Sequence, residues 1–163
     1  MVLWGCNMKL SIQELYKFRL TINTFDYTTD LSSFVNEDFV DFIRMSLVNV
    51  KGSYQVLSAF DEYMFDVHVE CILTMACAIT LQPVDVPINF DASLSFATTP
   101  IDDSVYLIEG NTVDLDKVIW ANILIEKPMR VIAEGAYDHY QEEIVTLDES
   151  EIQAVNPFSK IKP

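Results

Sequence analysis

Chemistry in this 163-residue chain would have to begin from three cysteines, two histidines and 25 acidic side chains. Cys71 and Cys77 stand six apart in a run that reads as strand. They therefore share one face, too far apart to clip a metal locally, and His68 falls on the other face. Buried soft side chains are the plainer account of both thiols. Nucleophilic catalysis needs a Ser or Cys beside a base that a third group orients. His68 is mid-strand, His139 lies in an acidic stretch, and no G-x-S-x-G elbow or Cys–His signature occurs. The four glycines, Gly5, Gly52, Gly110 and Gly135, make no phosphate-binding loop. Asp85 and Asp91 share a strand face, but in so acidic a chain paired carboxylates read first as a solvated surface. The expectation is a protein that is not an enzyme, with no catalytic residue, no cofactor and no metal.

Charge narrows the partner. The 25 acidic and 10 basic side chains leave a formal charge of −15. Nucleic-acid binding depends on Lys and Arg displacing counterions from phosphates, and this chain would meet a polyanion with net repulsion. An acidic field instead speeds encounter with basic partners, although it also serves plain solubility. The length predicts one domain, and 50% hydrophobic residues suffice for a core. No apolar run is long enough to span a membrane. Residues 1–7 are too short and too uncharged for a secretory signal, and an odd cysteine count makes no disulfide framework. A cytoplasmic location is expected.

The elements that must position these residues follow from periodicity. Ser11-Ile12-Gln13-Glu14 is a capping box, with Leu10 and Leu15 placed as a hydrophobic staple, and predicts a helix over 12–18. If Met8 is the start, that helix opens the protein and residues 1–7 are an extension. A strand is expected over 20–25, a loop over 27–36, and one or two helical turns over 37–44 with Phe39, Phe42 and Ile43 on one side. From Val48 to Phe96, three segments alternate apolar and polar residues with period two. Short links at 58–61 and 80–83 predict an antiparallel meander with one apolar and one wet face. Val105 begins a short strand, Gly110-Asn111 a turn, and Asp114 caps a helix over 115–126 that Pro128 ends. Its stripe Leu115, Val118, Ile119 and Ile123 is the natural cover for the apolar face. The fold class is therefore α+β: an antiparallel meander with a short N-terminal helix and one longer covering helix. Residues 8–133 form the domain, 134–155 an acidic flexible segment, and 156–163 a C-terminal tail.

Several short motifs, in this order, carry a resemblance. They are Met8-Lys9-Leu10-Ser11-Ile12 through Phe18-Arg19, then Cys77-Ala78-Ile79-Thr80-Leu81-Gln82-Pro83-Val84, then Val113-Asp114-Leu115 with the helix behind it. Glu126-Lys127-Pro128-Met129-Arg130 and the terminal Asn156-Pro157-Phe158 complete the set. Together they resemble the Gram-positive-type branch of the YceD-like family, the large ribosomal RNA accumulation proteins. Many members carry C-x-x-C-L-x-P-V where Cys77 to Val84 stand. Here Thr80 occupies the second cysteine's place, and no cysteine lies near Ala133, where zinc-type members carry more. One thiolate cannot close a tetrahedral zinc site.

The resemblance implies a non-enzymatic accessory protein for large ribosomal subunit assembly. The charge adds that its contact is with a basic ribosomal protein or assembly particle rather than bare RNA. Asn156, Pro157, Phe158, Lys160 and Arg130 are the candidate partner-binding residues. Alternatively, Lys9, Lys17, Arg19 and Lys127 converge into a patch for direct RNA binding, with aromatics such as Tyr16 stacking on unpaired bases. A hydrolase is a third reading and requires a deep pocket holding a perturbed carboxylate or histidine.

Overall fold

Period-two alternation builds the central sheet of the molecule. The computed structural model describes residues 2–3, 8–57 and 61–138. Strands β1 (Val2–Leu3), β3 (Asn23–Thr29), β4 (Phe42–Met45), β5 (Val48–Leu57), β6 (Glu62–Ala76), β7 (Pro83–Ala97) and β8 (Val105–Leu107) form a seven-stranded sheet. Its order is β1-β3-β5-β6-β7-β8, with β4 beside β6. The pairs β1–β3 and β7–β8 are parallel and the rest antiparallel. β5 pairs with β6 over Glu62 to Glu70, and β4 takes up the same edge at Leu73 to Met75. A second, two-stranded sheet joins β2 (Lys9–Ser11) to β9 (Thr112–Asp114).

The expected meander is β5–β6–β7. Its inner face carries Val50, Phe65, Val67, Val69, Leu73, Leu94 and Phe96, all buried. The Phe65 ring sits 5.5 Å from those of Tyr54 and Phe96 and 6.2 Å from that of Phe25. Helix α2 (Leu115–Glu126) buries the expected stripe in the same core and adds Asp116 and Trp120. Helix α1 (Ile12–Lys17) opens with the full capping box, the Glu14 amide donating to Ser11 Oγ. Gly52 is required where it stands. A Cβ there would run into the Asp66 carbonyl oxygen and lie 3.0 Å from the Phe25 ring on the neighbouring strand.

Several expectations change. The strand placed at 20–25 runs over Asn23–Thr29, because Phe25, Tyr27 and Thr29 are its buried alternation. That takes three residues from the expected loop, the rest of which holds a 3-10 turn, Ser32–Phe34. In place of helical turns over 37–44, turns lead into β4. Phe39 and Phe42 meet edge-on over Trp120, at 5.8 and 6.0 Å, rather than lining a helix. Asp114 makes no side-chain cap: one carboxylate oxygen lies 3.9 Å from Lys9 Nζ and the other is buried without a partner. Cys77 lies past the end of β6, in the turn to β7, where Leu81 takes φ +58°. The described part of the acidic segment, to Asp138, includes the buried Ala136.

Candidate functional site

The outer face of the meander follows from the same alternation that builds the core. It presents Asp26, Glu62, Asp66, Glu70, Asp85 and Asp91 against two fixed cations, Arg44 and Lys51. Register then ties these side chains across strands. His68 stands opposite Asp91, its Nδ1 2.7 Å from Asp91 Oδ1 and its Nε2 3.4 Å from Glu70 Oε1. Those hydrogen bonds, Asp91 first, raise the His68 pKa above its ordinary value. Ser93 donates to Asp66 at 2.6 Å, Thr74 to Asp85 at 2.6 Å, and Arg44 Nε to Thr74 at 3.2 Å. Lys51 reaches Asp26 at 4.0 Å. A shallow depression of about 500 Å³ lies on this face, walled by Lys51, Asp66, His68 and Asp91.

A surface of this kind can hold cations. Among the described residues no three His, Cys, Asp or Glu side chains gather closely enough to hold a metal ion. Asp66, Glu70, Asp85 and Asp91 were visible in the sequence as the wet side of the expected strands, whereas Asp26 joins them only because β3 runs on to Thr29. The pairing of His68 with Asp91 was not, because it needs the β6–β7 register.

The residues expected at a site are scattered. Asn156, Pro157, Phe158 and Lys160 lie outside the described residues, as does His139. Arg130 is exposed and lines a small cavity of about 270 Å³ with Ala78, Ile79, Ile132 and Tyr137. Of the candidate RNA patch, Lys17 and Arg19 sit together at the end of α1, with the Arg19 guanidinium 4.3 Å above the Tyr16 ring. Lys9 pairs with Asp114 at the start of α2. Lys127 lies past its other end, about 18 Å along the helix axis. It is only 13% exposed and donates to Asp41 at 2.7 Å. Lys9 and Lys127 are thus at opposite ends of α2, and each already faces a carboxylate.

The turn after β6 holds a thiol set among backbone donors. Cys77 Sγ accepts from the Ala133 amide at 3.3 Å and the Thr80 amide at 3.5 Å. These hydrogen bonds pull its thiol down to about 6. Burial pushes Cys71, on the inner face of β6, up to about 11. The donor set does not fit zinc: one thiolate faces the Thr80 hydroxyl, whose oxygen is buried and unpartnered, and the backbone of Ala133.

The family model described as "Large ribosomal RNA subunit accumulation protein YceD" matches residues 65–162. An uncharacterized protein of Bacillus subtilis (strain 168), YlbN, is 31% identical over 134 residues, covering 78% of this chain and 75% of YlbN. No solved structure matches.

Proposed function

We propose that this chain, which belongs to the YceD family of large ribosomal RNA subunit accumulation proteins, is a non-enzymatic accessory protein of large-subunit assembly. It acts in the cytoplasm by holding a basic ribosomal protein, or a precursor particle that carries one, against the open acidic face of its sheet. The observation that carries this reading is that face: among the described residues, six carboxylates stand against two fixed cations on the side of β3–β7 away from α2. Its field draws in positive partners, and cations docked there pair with carboxylates that are already exposed, so little desolvation opposes them.

Direct contact with unpaired RNA has one local support, the Arg19–Tyr16 stack beside Lys17 and the exposed Phe18. The test is capture by the full-length protein from cytosol at gentle salt, with and without ribonuclease. A basic large-subunit protein retained after ribonuclease supports the acidic-face reading. Capture that disappears with ribonuclease, and falls steeply with salt, transfers the function to RNA contact at the end of α1. Recovery of neither a large-subunit protein nor its RNA contradicts the assembly role.

A further inference from the structure

We propose that the outer edge of β7 receives an extended segment of the basic partner as an added strand. This rests on the acidic-face reading above and specifies how the partner is held. β6 pairs along the whole of β7, from Ala97 opposite Glu62 to Pro83 opposite Ala76. On its other side, among the described residues, β7 meets only β8, at Ser95 to Ala97. Among the described residues, no other backbone hydrogen bond reaches the edge between Val84 and Leu94. At the rise of an antiparallel strand this open edge is roughly 35 Å long.

The register says which groups point outward. Ile72, opposite Pro87, spends its N–H on Ser46 Oγ and its C=O on the Ser46 amide, on the side away from β7. Pro87 and Ile72 are therefore a non-hydrogen-bonded pair, and the odd-numbered residues of β7 turn their backbone groups to the open edge. The Ala97 carbonyl obeys the same parity, accepting outward from the Ile108 amide at 2.8 Å. Asp85, Asn89, Asp91 and Ser93 thus turn N–H donors outward that no described backbone group takes up. Pro83 and Pro87 fall at positions where a missing N–H leaves the β6–β7 ladder whole.

Charge selects the occupant. Prolines and acids guard such an edge against a second copy, because two β7 strands side by side would set their carboxylates against one another. A basic segment meets the opposite sign. Asp85 and Asp91 project on the same side, about 20 Å apart, so Lys or Arg spaced six residues apart on an added strand would reach both. The alternate residues of that strand would face the half-buried Val86 and Phe90. The ligand is thus a protein segment alternating basic and apolar residues, read by main chain and charge together.

The probe is a synthetic peptide of alternating lysine and valine, about as long as the open edge. It is made unmodified, N-methylated at the lysines, and N-methylated at the valines. Binding to the full-length protein is followed by fluorescence anisotropy. Strand addition uses only one alternate set of peptide N–H groups. One methylated peptide should therefore bind as the parent does, and the other about tenfold or more weaker. Asn89→Pro places a third proline at the parity of Pro83 and Pro87. It should keep the melting temperature and circular dichroism of the parent protein and lose the peptide to the same degree. If both methylated peptides bind like the parent, strand addition is overturned while the acidic-face reading stands. If the parent peptide does not bind at all, strand addition is overturned, and the ribonuclease-resistant capture judges the assembly role separately. An oligouridylate that binds more tightly than the peptide and is lost in Asn89→Pro would overturn the assignment of the edge to a protein segment.

Discussion

On β6, Phe65 and Asp66 are neighbours in sequence and opposites in surroundings. The Phe65 ring is wholly buried among Phe25, Tyr54 and Phe96, while Asp66 stands exposed and accepts a hydroxyl from Ser93. The same contrast repeats along β5 and β7. One face of the sheet is closed by α2 and by its own aromatic rings, and it carries the stability. The other is held by side-chain hydrogen bonds between exposed groups, which contribute little to folding and keep the acids in place. The two faces can therefore be altered separately: inner substitutions should unfold the protein, and outer ones should disarm it.

The largest expected effect is on the covered face. Phe65→Ala should cost about 3–5 kcal/mol by leaving a cavity among three rings, whereas Asp66→Ala should stay within about 0.5 kcal/mol of the parent. Urea denaturation of both reads the difference directly, and equal losses would erase the distinction between the faces. Gly52→Ala follows at roughly 1–3 kcal/mol, because the added methyl meets the Asp66 backbone and the Phe25 ring with nowhere to retreat. A variant as stable as the parent would show that β5 and β6 part more easily than their spacing implies.

The thiols sharpen the comparison with one residue type in two settings. Thiolate absorbance should show a step near pH 6 that is absent from Cys77→Ala, while Cys71 ionises only near 11. The smallest effect is electrostatic. The folded-state pKa of His68 is raised, so its contribution to stability is complete below the ordinary histidine value and is lost as pH rises through the folded one. His68→Gln should flatten that part of the stability–pH curve. A parent curve already flat from pH 6 upward would mean that Asp91 and Glu70 do not hold the ring.

The meander, α2 and the capping box were legible because their signals are local and periodic: alternation, a helical stripe, and a Ser three residues before a Glu. What local pattern missed depends on distant partners. Phe39 and Phe42 are spaced as on a helix, but Trp120, far along the chain, claims both rings. Cys77 continues the parity of β6, yet the Gln82 carbonyl and Ala133 amide that bind it define a turn instead. Four acids of the open face, Asp66, Glu70, Asp85 and Asp91, could be read from alternation. The open edge could not, because it depends on how little of β7 is covered by β8. The basic residues looked convergent only because sequence does not show that α2 separates Lys9 from Lys127.

The central claim is that the open acidic face holds a basic partner, and reversing that face tests it most directly. The double variant Asp66→Lys/Asp91→Lys and the parent protein would be compared in ribonuclease-treated capture from cytosol, after urea denaturation has shown equal stability. The account predicts that the parent retains a basic large-subunit protein and the variant loses it by about tenfold or more. Equal retention by both proteins would contradict it.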